Sequence, residues 1–231
     1  MKLIDIKEIR GTITLKSGLH IGAGDMEMKI GGTDNPVIKH PFTLEPYIPG
    51  SSLKGKVRSL LEMKSGLMSV SKGLPLAPSH LNNASPDQKQ EGEKILRLFG
   101  SSGAEEEARE EFGPTRVSFS DAFLNKYWKE KADENQWPLT EVKSENSINR
   151  IKGTAENPRY TERVPAETVF DFSVTLKSMD GDNGLEEFLL AGLKLLQMDA
   201  LGGNGSRGYG KMEFRFSDEQ IQRNFEEIIP L

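Results

Sequence analysis

The sequence predicts an α+β fold, and three observations carry that expectation. Four segments alternate apolar and polar residues with the period of two expected of a half-buried strand. Two segments between them repeat apolar residues at helical spacing. Their order is strand, helix, strand, strand, helix, strand. That is the βαββαβ arrangement of a ferredoxin-like (RRM-like) core with its helices on one face.

The first strand is expected at residues 9–15, with Ile9, Ile13 and Leu15 on the apolar side and Arg10, Thr12 and Thr14 opposite. The second, at 116–123, puts Val117, Phe119 and Phe123 on one side, and Asp121 interrupts it. The third, at 168–177, alternates best, with Phe170, Phe172, Val174 and Leu176 inward against Asp171, Ser173 and Thr175. The fourth, at 211–216, turns Met212, Phe214 and Phe216 in and Lys211, Glu213 and Arg215 out. A polar face on each strand predicts a sheet covered on one side only.

The first helix, at 51–64, follows Pro49-Gly50, takes Ser51 or Ser52 as its N-cap and carries Leu53, Val57, Leu60 and Leu61. The second, at 185–200, carries Leu189, Leu193 and Leu196 and stops at Gly202-Gly203. Residues 91–99 predict a shorter extra helix. The spacers are read as insertions on one domain spanning 1–231, at about 22–48, 65–112 and 125–166. Residues 65–92 look polar and loop-like, and 125–166 hold Trp128 and Trp137.

Composition narrows the function. The 231 residues include no cysteine, which excludes disulfides and thiolate metal sites. The three histidines, His20, His40 and His80, form no metal-spaced pair. No apolar run approaches the ~20 residues of a membrane span, and the first residues do not read as a signal peptide. A soluble cytoplasmic protein is expected. The net charge of −5 argues against nucleic-acid binding by bulk attraction. Locally the balance differs, because 103–113 is acidic and 54–64 is basic.

Three stretches carry chemistry. GGNGSRGYGK (202–211) has glycine at five of ten positions, with Arg207 and Lys211 beside it. Such a loop lets backbone N–H groups approach phosphates. Its GxGxxG match precedes a strand and follows a helix, the reverse of a dinucleotide site. The near-P-loops at 50–57 and 205–212 end in Val57 and Met212, where a Mg²⁺-binding hydroxyl is needed. RGYGKMEF (207–214) partly matches the RRM octapeptide, but Lys211 stands where an aromatic should stack bases.

PYIPGSSLKGKVR (46–58) places Lys54 and Arg58 on one helix face, behind a helix N-terminus carrying Ser51 and Ser52. Alone it reads equally well as a capped surface helix. In a ferredoxin-like fold this helix start and the glycine-rich loop can lie on one rim, which favours an extended polyanion. GGTDNPVI (31–38) holds Asp34 in a turn-forming loop. A lone carboxylate there is a turn residue, unless a substrate brought to it makes it a base or metal ligand.

In this order and spacing, the three stretches resemble the RAMP backbone subunit of type III-A (Csm) CRISPR interference complexes, over most of the chain. The resemblance implies a ferredoxin-like palm with lid- or fingers-like insertions and a protruding thumb hairpin, placed here at 144–167. It implies repeated copies in a filament along a CRISPR guide RNA, with the other subunits of the complex as partners. It implies cutting of complementary target RNA at regular intervals, with Mg²⁺ or another divalent cation, at the aspartate matching Asp34. Asp34 would activate the 2′-OH or hold the metal. RNA contacts fall on His20, Ser51, Ser52, Lys54, Arg58, Arg150, Lys152, Arg159 and Arg163, and on Gly202, Gly203, Gly205, Arg207, Gly208 and Lys211 of the loop. Two other readings stay open: a non-catalytic RNA scaffold, and a metal-independent endonuclease that processes CRISPR precursor RNA with His20 as base.

Overall fold

Alternation along the chain becomes a sheet because its apolar side chains must leave water together. The computed structural model describes residues 2–24, 35–101 and 112–231. Asp34 and most of the acidic run 103–113 lie outside the described residues. In chain order the elements are β1 (Leu3–Leu15), α1 (Gly50–Lys64), α2 (Leu67–Val70), α3 (Pro86–Phe99), β2 (Val117–Phe119) and α4 (Lys126–Glu134). There follow β3 (Glu141–Ile148), β4 (Ala155–Arg163), β5 (Val169–Met179), α5 (Leu185–Met198), β6 (Met212–Phe216) and α6 (Glu219–Glu227).

The main sheet has the order β2-β5-β1-β6, with every neighbouring pair antiparallel. Taking only these four strands, the order is 2-3-1-4, that of a ferredoxin-like sheet, so the expected core is present. β1 pairs with β5 from Leu3↔Met179 to Thr14↔Val169, and with β6 over Gly11 to Leu15. Ile9, Ile13, Phe170, Phe172, Val174, Phe214 and Phe216 are buried with Leu53, Val57 and Leu61 of α1 and Leu189, Leu193 and Leu196 of α5. On the other face Glu8 accepts from Ser173 (2.8 Å) and Arg10 (2.6 Å).

Several expectations need correction. β1 begins six residues before the expected start at residue 9, since Leu3 to Glu8 pair with β5 while largely exposed. β2 is short because Asp121 leaves the ladder to accept the Gly50 N–H at 2.8 Å. That bond caps α1 from across the fold. Neither Ser51 nor Ser52 is the N-cap: Pro49 holds that position, and its carbonyl accepts the Ser52 N–H at 3.0 Å. Phe123, expected inward, is half-exposed and stacks on Tyr47.

The insertions are also more ordered than expected. α3 starts at Pro86 because Ser85 and Gln88 form a reciprocal capping box. Asn125 caps α4, and Asp218 caps α6, whose Ile221 and Phe225 complete the core. The hairpin β3–β4 forms its own two-stranded sheet, starting at Glu141 and not at 144. Its base is fastened to the palm by a Leu19–Val164 bridge.

Candidate nucleic-acid interface

The glycine-rich loop lies against the segment that follows β1. Gly202 has φ 77°, and a Cβ there would stand 2.3 Å from the His20 carbonyl oxygen. Gly210 has φ 72°, and its Cβ would stand 1.9 Å from the Leu201 carbonyl oxygen. Only glycine fits either position. The Gly203 N–H donates to the His20 carbonyl (2.9 Å) and the Gly210 N–H to Gly18 (3.0 Å). Part of the glycine content therefore builds the fold. Gly205 and Gly208, with Ser206 and Arg207, form the loop's outer turn.

This close approach sets His20 on the loop. Its Nδ1–H donates to the Glu162 carbonyl at 2.7 Å. A carbonyl only accepts, so neutral His20 presents Nε2 as an acceptor with no partner among the described residues. Glu162, on β4, is buried. Its carboxylate accepts the Val37 N–H (2.9 Å) and the Lys39 ammonium (2.6 Å), and its own N–H donates to the Asn35 carbonyl (3.1 Å). Burial pushes the Glu162 carboxyl up, but bonds from Lys39, Val37 and Thr140 outweigh it and leave it lowered. Asn35, which follows Asp34 in the chain, is thus tied to the same hairpin that orients His20.

The two basic residues of α1 part company. Arg58 Nε donates to Glu62 (2.7 Å), while its terminal nitrogens donate to the carbonyls of Gly100 (3.0 Å) and Leu76 (2.7 Å). All three nitrogens of this residue, which the sequence places on the RNA path, are thus engaged inside the protein. Lys54 has no carboxylate partner among the described residues; burial, then the Arg58 charge, lowers its pKa. α1 is tied to the end of α5, just before the loop, through Lys56 and Asp199 at 2.6 Å. The free helix N-terminus expected at Ser51 and Ser52 is partly spent, since Asp121 occupies it. Lys211 is exposed and reaches the Met198 carbonyl at the end of α5 (3.4 Å).

Tyr209 is fully buried, so it offers no ring face to a base, in keeping with the only partial match of its segment to the RRM octapeptide. Its hydroxyl donates to Glu145 on β3 at 3.0 Å. The Lys143 ammonium (4.7 Å) and the Arg163 guanidinium (5.0 Å) lie over its ring. Arg207 also pairs with Glu145, while Arg163 pairs with Glu141 at 2.7 Å. Arg163 is therefore part of the joint between hairpin and loop. Arg150 and Lys152 sit exposed in the turn at the hairpin's far end. Arg159 lies mid-hairpin, opposite Glu145.

The structure thus gathers His20, Gly202 and Gly203, brings Arg159 and Arg207 to one cleft, and ties α1 to the end of α5 that precedes the loop. Sequence reasoning missed Glu162, Glu145, Tyr209 and Asp199, which fasten these parts. Only Tyr209 carried a signal, as an aromatic inside a glycine-rich motif. Among the described residues, no three His, Asp or Glu side chains gather as metal ligands. No helix among them is long and apolar enough to cross a membrane.

Comparison with known proteins agrees with this arrangement. The RAMP superfamily model matches residues 12–213. A Methanothermobacter thermautotrophicus protein named CRISPR system Cms endoribonuclease Csm3 is 40% identical over 222 residues, covering 90% of this chain and 82% of its own. The Methanopyrus kandleri Csm3 crystal structure superposes with a TM-score of 0.60 at 27% identity, over 94% of this chain and 76% of that one. A Csm3-Csm4 subcomplex from the type III-A CRISPR-Cas interference complex gives 0.54 at 29% identity, over 93% and 78%.

Proposed function

The chain belongs to the RAMP superfamily and, within it, to the Csm3 family, and we propose that it is a repeated backbone subunit of a type III-A RNA-guided CRISPR complex. In this reading it holds guide RNA and cuts complementary target RNA at regular intervals. Its partners are the guide, the target, further copies of itself and the other subunits of the effector. The supporting observation is the convergence of His20 and the Asn35 segment on Glu162 of one hairpin strand, with the glycine-rich loop held against His20.

The residues divide the work. Lys54, Arg150, Lys152, Arg159 and Arg207 meet phosphates without regard to sequence, and base pairing supplies specificity. Asp34 takes the proton from a target 2′-OH or holds a divalent cation. The hydroxyl oxygen attacks the adjacent phosphorus to give a 2′,3′-cyclic phosphate, and the 5′-oxygen leaves with a proton taken from water. A bound Mg²⁺ or similar ion would supply charge stabilisation on the phosphate oxygens. The described residues offer no cage of their own, so RNA phosphates and water would complete such an ion's shell.

A second reading draws on His20, whose Nδ1–H is anchored and whose Nε2, without a partner among the described residues, would act as a base. In that reading the chain would process RNA without a metal. Purification of the tagged chain from its host separates these readings. The backbone reading expects a discrete small RNA, partner subunits and EDTA-sensitive cutting of complementary RNA. Recovery of the chain alone, with EDTA-resistant cutting of repeat RNA, would replace it with the His20 reading.

A further inference from the structure

Between the hairpin and the glycine-rich loop lies a cleft lined by Glu145, Asn146, Ser147, Asn157, Arg159 and Arg207. We infer that it receives one phosphodiester group of RNA, with Arg159 and Arg207 as its cations and Glu145 as the carboxylate that the phosphate displaces from Arg207. The inference rests on the reading above that the chain holds RNA.

One ion pair expected from the hairpin register does not form. Glu145 and Arg159 are direct cross-strand partners, so their side chains share one face of the hairpin. Opposite charges in that register ordinarily pair. Glu145 instead gives one oxygen to Arg207, and the other to the Tyr209 hydroxyl (3.0 Å) and Lys143 (3.3 Å). Arg159 is left with no carboxylate partner among the described residues. The lining carries two guanidinium groups against one carboxylate, on a chain of net charge −5. A local cationic excess on an acidic protein suits an anion.

The other lining groups fit the rest of a nucleotide. Asn146, Asn157 and Ser147 each donate and accept, as a ribose hydroxyl requires. None of the six lining side chains is apolar. The hairpin ladder is interrupted beside the cleft, between Glu145 and Ser147, and Asn157 there has φ 55°. Bulges of this kind re-aim side chains. Exchange at Arg207 is chemically plain, because carboxylate and phosphate present the same oxygen pair to the guanidinium fork. Arg207 is half-exposed, so its pairing to Glu145 is weak enough to exchange.

Binding of a labelled single-stranded RNA to the full chain, measured by anisotropy across a salt series, tests the assignment. Arg159→Ala should weaken binding about tenfold at low salt and lower the salt slope by about one. Glu145→Gln should tighten it about threefold, since Arg207 loses its internal rival while Tyr209 keeps an acceptor. Melting temperatures recorded alongside show whether each variant is folded. An unchanged affinity and slope in folded Arg159→Ala would overturn the inference. So would a folded Glu145→Gln that binds no tighter than wild type. A wild-type chain that ignores RNA would overturn the RNA reading itself, and the cleft assignment with it.

Discussion

The Nδ1–H of His20 donates to the main-chain carbonyl of Glu162 at 2.7 Å, while the Glu162 side chain holds Val37 and Lys39. One hairpin residue thereby orients a potential base and fastens the segment that follows Asp34. The hairpin is built into the site and is more than an appendage to it.

Glu162→Gln should cost about 1–2 kcal/mol of stability at neutral pH, because the Lys39 pair is lost while Val37 keeps an acceptor. The folded carboxyl is held below its ordinary value, so the unfolded chain takes up its proton first as pH falls. The stabilisation is therefore whole above the unfolded value of about 4.3 and fades as pH drops through the folded one. Urea melts at several pH values check this: the gap between wild type and variant should close in acid. A gap that widens there would contradict the assignment.

Arg58 and Lys54 should separate cleanly. Arg58→Ala leaves Glu62 buried without its partner and should remove about 3 kcal/mol or more. Lys54→Ala should leave the melting temperature unchanged or higher, since it removes a half-buried cation without a carboxylate partner among the described residues. It should instead weaken RNA binding across all sequences and lower the salt slope. Denaturant melts and salt titrations of both variants decide the matter. Equal effects of the two on RNA binding, with both folded, would contradict the division.

The glycines of the loop should sort by geometry. Gly210→Ala meets the Leu201 backbone and should lose more than about 2 kcal/mol. Gly208 has φ 85° but no atom within 4 Å of an added Cβ, so Gly208→Ala should lose only about 1 kcal/mol. Urea midpoints of the two variants test the order, and equal losses would show that the close approach to Leu201 carries no weight.

Much of this was legible in the sequence. Phe170, Phe172, Val174 and Leu176 alternate without interruption, and all four are buried as expected. The first half of β1 escaped because it is largely exposed, so its burial imposes little pattern. Asp121 was visible as an interruption, but its cap on Gly50 joins residues 71 apart. Spacing placed Lys54 and Arg58 on one face, yet Glu62, four residues beyond Arg58, already offered the partner that turns Arg58 inward. The capping box at Ser85 and Gln88 was likewise present and passed over. Glu145 and Glu162 could not be found locally, because their partners arrive from the other end of the chain.

Target cutting by the assembled complex, mapped on a sequencing gel, tests the central claim most directly. The wild-type complex should give an evenly spaced ladder that EDTA abolishes. With Asp34→Ala in every copy, the ladder should vanish while guide content and target affinity stay within about twofold of wild type. An unchanged ladder from that variant would contradict the account.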